Sequence, residues 1–353
     1  MSTPEGETDI TDEVRGTYGF VASTACYDKL DDEFVFERKQ KAATGKISVE
    51  CFTDKEIKIA TNNYDQQNII TKEVIYSLYK GFLQDRPVSV MKFSPDFYDQ
   101  AAFGINSIVF ASQMGHKNIL KLIGCCLESE VHILVFESVE YGTLANHIYR
   151  SCEPYFEPLL LTHRLKIVME LANAIAYLHF KFPRPIVFRM VSPATIVFNE
   201  KYVAKLCDFS NSISMPEGET HIEESKDRII GIGGFFAPER FTTARFNEKV
   251  DVYSFGVLLL ILLTGQRVDC HSSPETEDED LSFLDLVKKY FGNNRLDEIV
   301  DPIIVGDGLC LEEKEKLQAF TELALKCVSE SAEDRPTMID VAKQLRQMYR
   351  SGT

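Results

Sequence analysis

The stretch "EKVDVYSFGVLLLILLTG" (248–265) limits the possible folds more than any other part of the chain. Its residues are apolar nearly all round the helix they would form, so that helix needs burial on every side and not only along one stripe. The uninterrupted apolar run inside it stays short of the roughly 18 residues of a membrane span, and no other run approaches that length. The helix therefore belongs at the centre of a large protein core. With 353 residues, 44% hydrophobic and 11% aromatic, the chain can build such a core as one large domain or as two lobes.

Charge narrows the partners. A formal net charge of −16 argues against nucleic acid, whose phosphates call for lysine and arginine patches, and against a polybasic membrane contact. The nine cysteines are odd in number, and Cys125 and Cys126 are adjacent, which neither bridges ordinarily nor matches a metal-ligand spacing. They read as reduced thiols of a cytoplasmic chain. The N-terminus lacks the apolar segment of a signal peptide, and Ser2 stands where N-myristoylation needs glycine. No direct membrane insertion is expected.

Residues 1–51 read as a tail, acidic at first ("PEGETDITDE") and carrying one apolar island, Phe34-Val35-Phe36, before the basic "ERKQK". "PEGET" recurs at 216–220, too short to be an architectural repeat. From Phe52 the texture changes. "FTDKEIKIATNNY" has apolar residues at helical spacing and stops at Asn62-Asn63, and β-rich pieces follow around 75–93 and 120–137. From about 141 the pattern turns helical, as in "LTHRLKIVMELANAIAYLHF" (161–180), where Leu165, Val168, Leu171, Ala172 and Ile175 share one face. "HSSPETEDEDLS" (271–282) reads as a solvated acidic loop.

A sheet lobe, a hinge and a helical lobe, with "VAKLCDFS", "APER" and "DVYSFGV" in that order, resemble a protein kinase over residues 52–349. The fold class this implies is α+β and bilobal, a β-sheet lobe over about 52–137 and a mainly α lobe over about 141–349. "FTDKEIKIATNNYDQQNII", "KNILKLIGCCLE" and "EDRPTMIDV" further resemble plant receptor-like kinases, close to the wall-associated branch. The resemblance implies that Glu239 of "APE" and Arg335 form a buried ion pair, and that Asp251 braces the catalytic loop from the buried central helix.

The catalytic positions of that family are largely replaced. Kinases work by positioning phosphates and neutralising charge, with a lysine, two metal ions and an acid near the nucleophile. Aligned through Tyr79-Lys80-Gly81, the three phosphate-loop glycines correspond to Thr71, Glu73 and Tyr76, whose side chains would crowd and repel phosphates. "SVMK" places Lys92 at the phosphate-pairing lysine, although a solvated strand lysine reads equally well, and Val90 at the residue roofing the adenine. The glutamate partner on the helix registers at Ser107. In "VFRMVSPAT" the pattern HRDxKxxN becomes Phe188, Arg189, Met190, and Thr195 at the asparagine. Methionine accepts no proton, and loss of a general base alone costs about 10² to 10⁴ in rate. "DFS" keeps Asp208 as a metal-ligand candidate and has Ser210 in place of glycine.

The expected protein is thus a pseudokinase with no cofactor, no metal and no catalytic residue. Lys92 and Asp208 are the only nucleotide-binding candidates, should ATP be bound. Tail, short kinase-like body and degenerate loop together resemble the ZED-related pseudokinases, a receptor-like cytoplasmic kinase subfamily. That resemblance implies an adaptor in plant effector-triggered immunity. Such adaptors ride on the leucine-rich-repeat domain of a nucleotide-binding (NLR) immune receptor and sense bacterial effectors or effector-modified decoy kinases, with recruitment to the plasma membrane through partners. By position, Phe34, Val35 and Phe36 would dock the receptor. The activation segment, with Ser212, Ser214, Thr220, Ser225 and Ile232, would meet the effector or kinase. Two alternatives stay open: a nucleotide-binding kinase with weak residual transfer, and an allosteric regulator of an active receptor-like kinase.

Overall fold

A computed structural model describes residues 20–22, 49–94, 100–129, 131–149, 159–223, 230–268, 281–306 and 308–351. The apolar island Phe34-Val35-Phe36 and Ser225 lie outside the described residues. In chain order the strands are β1 (Phe20–Ala22), β2 (Glu50–Cys51), β3 (Ile69–Lys72), β4 (Tyr76–Leu83), β5 (Arg86–Phe93), β6 (Leu122–Cys126), β7 (Ile133–Glu137), β8 (Val139–Thr143), β9 (Ile186–Val187), β10 (Ile196–Asn199), β11 (Ala204–Leu206), β12 (Ile213–Ser214), β13 (Ile222–Glu223), β14 (Ile230–Ile232) and β15 (Arg245–Phe246). The helices are α1 (Asp54–Ala60), α2 (Gln100–Ala111), α3 (Leu144–Ile148), α4 (Leu161–Phe180), α5 (Glu239–Thr242), α6 (Lys249–Thr264), α7 (Phe283–Gly292), α8 (Pro302–Val305), α9 (Leu311–Cys327) and α10 (Met338–Arg350).

Six strands form the upper sheet in the order β2-β6-β7-β5-β4-β3. Side chains alternate across it, so the two faces have separate cores. Tyr76, Leu78, Met91 and Phe93 join the large core beneath, whereas Tyr79, Val88 and Val90 pack above against Phe52 and Ile57. Helix α1 covers the upper face. Thr53 and Glu56 close a capping box at its start, and Asn62 and Asn63, at φ 52° and 55°, end it in left-handed backbone. Glu50 and Cys51 pair in parallel with Gly124 and Cys125 and so belong to this sheet.

In the lower lobe, α6 is the all-round apolar helix: every residue from Val250 to Thr264 is buried. Each fully buried leucine or isoleucine contributes roughly 1.5–3 kcal/mol of burial, so the helix anchors the lobe. Helix α9 crosses it at Gly256, where a β-carbon would meet Cys327 Cβ at 2.6 Å, so only glycine permits the approach. Helix α4 packs against α10 and takes the predicted bounds, 161–180. A second buried ion pair ties α4 to the end of α6. Arg164 donates to Asp301 Oδ2 at 2.5 Å and to the Leu262 carbonyl at 2.6 Å.

Candidate functional site

The loop from β9 to β10 hangs from a single carboxylate. Asp251, fully buried in the first turn of α6, accepts the Phe188 N–H at 2.8 Å on Oδ2 and the Arg189 N–H at 2.7 Å on Oδ1. His179 Nε2 lies 2.9 Å from Oδ2 and completes the shell. A polar side chain so deep is tolerated because several hydrogen-bond partners answer it. They also hold Arg189 in left-handed backbone, φ 71°. Asp251 thus braces this loop from the first turn of α6.

What this loop presents is apolar. Met190, at the position of the catalytic acid, is buried and packs in the core. Thr195 turns its hydroxyl back into the loop, donating to the Met190 carbonyl at 2.5 Å and accepting the Ser192 N–H at 3.2 Å. Asp208 Oδ1 accepts the Ser210 N–H at 2.9 Å, while its buried Oδ2 has no hydrogen-bond donor. Burial raises the Asp208 pKa above the ordinary carboxylate range. The family's magnesium ions would need at least a second oxygen ligand beside Asp208. Thr195, already engaged by its own loop, does not offer one. The residues here do not fit the metal.

The Asp208 loop is held by contacts the sequence did not announce. Phe209 packs edge-on to Phe188, ring centroids 5.1 Å apart. Asn106 of α2 lies within hydrogen-bonding distance of the carbonyls of Phe209, Ser210 and Ser212, at 3.1, 2.8 and 2.8 Å. The residue that ties α2 to this loop is thus Asn106. Its neighbour Ser107, in the expected glutamate position, is buried with its hydroxyl unpartnered.

The roof of the cleft is filled. Tyr76, at the third glycine position, is buried, and its hydroxyl lies 3.9 Å from Cys207 Sγ, beside Asp208. Its ring stands edge-on to Phe93, centroids 6.4 Å apart. Thr71 Oγ1 donates to Glu73 Oε1 at 2.9 Å. Burial raises the Glu73 pKa to about 7, with the Thr71 hydrogen bond opposing and the nearby Asp208 adding to the shift.

The position read for Lys92 is corrected. Tyr76 pairs with Phe93 and Leu78 with Met91, so the cleft face of β5 carries Met91 and Phe93. Lys92 points to the opposite face, its Nζ 3.9 Å from the centre of the Tyr64 ring. A shift of one residue along a strand reverses the face, and the cleft position of the phosphate-pairing lysine falls to Met91. Val90 likewise packs above the sheet and not over an adenine. Replacing Lys92 with alanine is expected to remove a cation–π contact worth about 0.5–1 kcal/mol. Urea denaturation measures that loss, and the melting temperature with Mg·ATP should equal that without it in both proteins.

Ser212 and Ser214 of the activation segment face inward. Ser212, expected at a partner surface, is buried 3.4 Å from the Phe188 carbonyl, and Ser214 is half-buried in β12, paired with Ile186 of β9. These two brace the loop from within, because β12 and β9 form a ladder. Thr220 is exposed, its hydroxyl 2.9 Å from His221 Nδ1. The backbone of Ile232 pairs with Phe20 of β1, so the N-terminal strand lies along the segment. Beyond it, Glu239 and Arg335 meet in a bidentate pair at 2.7 and 2.8 Å. Arg335 also donates to the carbonyls of Ser329, Glu330 and Lys249 and lies over the Tyr253 ring.

Comparison with known proteins agrees with the fold. The profile of the family "Protein tyrosine and serine/threonine kinase" matches residues 86–345. The chain is 37% identical over 332 residues to "Serine/threonine-protein kinase ZRK1" of Arabidopsis thaliana, covering 91% of this chain and 92% of that protein. It is 37% identical over 327 residues to "Non-functional pseudokinase ZRK2" (90% and 89%) and 38% identical over 304 residues to "Non-functional pseudokinase ZED1" (84% and 88%), both of the same plant. Among the described residues no helix is long and apolar enough to cross a membrane.

Proposed function

The chain belongs to the protein tyrosine and serine/threonine kinase family, and from that premise we propose that it is a pseudokinase that acts by binding, as an adaptor in plant effector-triggered immunity. The observation that carries the non-catalytic half is the cleft itself, where Tyr76, Met91 and Met190 present apolar side chains on the surfaces that would face nucleotide and nucleophile. Two relatives, ZRK2 and ZED1, are named non-functional pseudokinases, while ZRK1 is named a kinase. For this chain the decision rests on its own residues. With no lysine facing Asp208 among the described residues, with Glu73 lining the approach and with Thr195 turned inward, phosphates meet acids and hydrocarbon instead of cations.

A kinase fold kept without its chemistry serves as a surface. In the adaptor reading the chain engages the leucine-rich-repeat domain of an NLR immune receptor through Phe34, Val35 and Phe36. Thr220 and the strand ending at Ile232 meet a bacterial effector or an effector-modified receptor-like cytoplasmic kinase. Its place is the cytoplasm, reaching the plasma membrane through those partners. Affinity purification of the tagged full chain from leaf tissue, with Phe34→Asp as matched control, tests this reading. An NLR receptor should be retained by the unaltered chain and absent from the control; kinases alone, or nothing specific, in both samples would contradict it.

A further inference from the structure

Three cysteines meet where the N-terminal segment joins the upper sheet. Cys51 and Cys125 are directly paired across the parallel strands β2 and β6, so their side chains leave the sheet on the same face. Cys51 is exposed and Cys125 is buried. Neighbouring strands run about 4.8 Å apart, inside the Cα separations that disulfides span. The approach here is close. A β-carbon on Gly124 would meet the Glu50 carbonyl oxygen at 2.4 Å, and the Phe52 N–H donates to the Cys125 carbonyl at 2.9 Å. Cys126, the next residue, points to the other face, where it packs with Phe52 and comes within 4.0 Å of Ser129 Oγ. The fold therefore selects Cys125 over Cys126 as the mate of Cys51.

We propose that Cys51 and Cys125 form a reversible thiol–disulfide site, Cys51 as the accessible thiol and Cys125 as the resolving one. The oxidant class is a small disulfide such as oxidised glutathione. The Cys51 thiolate attacks one of its sulfurs, forming a protein–glutathione disulfide and expelling one glutathione thiolate, which takes up the proton Cys51 lost. Cys125, deprotonated as it reacts, then attacks the Cys51 sulfur, forms the Cys51–Cys125 bond and expels the second glutathione, which takes up that proton. Two protein thiols are oxidised and one small disulfide is reduced to two thiols. The product staples the two-residue edge strand β2 to β6 and so fixes where the N-terminal segment leaves the sheet lobe.

The test uses the full chain equilibrated with reduced and oxidised glutathione, alkylated, digested with trypsin and mapped by mass without reduction. The expected product is peptide 47–55 joined to peptide 122–150. It should be lost in Cys51→Ser and in Cys125→Ser, retained in Cys126→Ser, and reversed by dithiothreitol. Oxidation should also raise the melting temperature of the unaltered chain and not that of Cys51→Ser. A stable glutathione adduct on Cys51 without the cross-link, or a cross-link that survives Cys125→Ser, would overturn the proposal.

Discussion

Replacing Glu239 with alanine is expected to cost the helical lobe about 3–5 kcal/mol, the range for breaking a buried pair from one side. The Arg335 side chain is 0% exposed and Glu239 accepts two of its hydrogen bonds. Removing the acid leaves a permanent cation facing only carbonyl dipoles and the Tyr253 ring. The pair also joins segments 96 residues apart, the end of the activation segment and the loop before α10. Its loss should therefore loosen α5 as well as the loop carrying Arg335. Glu239→Gln, able to accept one of the two bonds, should lose less. Urea denaturation followed by circular dichroism gives both values. A midpoint for Glu239→Ala equal to that of the unaltered chain would contradict this reading.

The second large effect depends on pH. The Glu73 pKa is raised from 4.5 to about 7, chiefly by burial. The folded chain therefore holds a proton that the unfolded chain releases between those values. The stability linked to that proton is fully present below pH 4.5 and is lost as pH rises through 7. A shift of this size corresponds to up to about 3 kcal/mol. Asp208, also raised by burial, acts in the same direction. Glu73→Gln keeps the shape without the titration, so its stability should fall less between pH 5 and pH 8 than that of the unaltered chain. Parallel pH profiles of the two proteins would show that the Glu73 carboxyl titrates in the ordinary range.

Much of the frame was legible in the sequence because packing leaves periodic traces. The apolar faces of 161–180 and 249–264 gave both helices almost to the residue. Glu239, Arg335 and Asp251 came from the resemblance of "APER", "EDRPT" and "DVYSFGV" to kinase motifs and not from periodicity. The cleft was harder. Lys92 was misplaced by one residue, and on a strand one residue is the whole difference between cleft and outer face. Ser212 reads as a surface serine in a polar loop, yet the ladder between β9 and β12 turns it inward. The Arg164–Asp301 pair joins residues 137 apart and has no local signature. Nor did Asn106, whose amide holds the Asp208 loop, differ in sequence from an ordinary helix asparagine.

The central claim is that the cleft transfers no phosphoryl group. Its direct test is incorporation of label from γ-labelled ATP, with magnesium or manganese, into the full chain and into a basic protein substrate. The account predicts label no greater than in a control without the chain, and the same result for Asp208→Ala. Incorporation above that control which Asp208→Ala abolishes would show a working site and contradict the account.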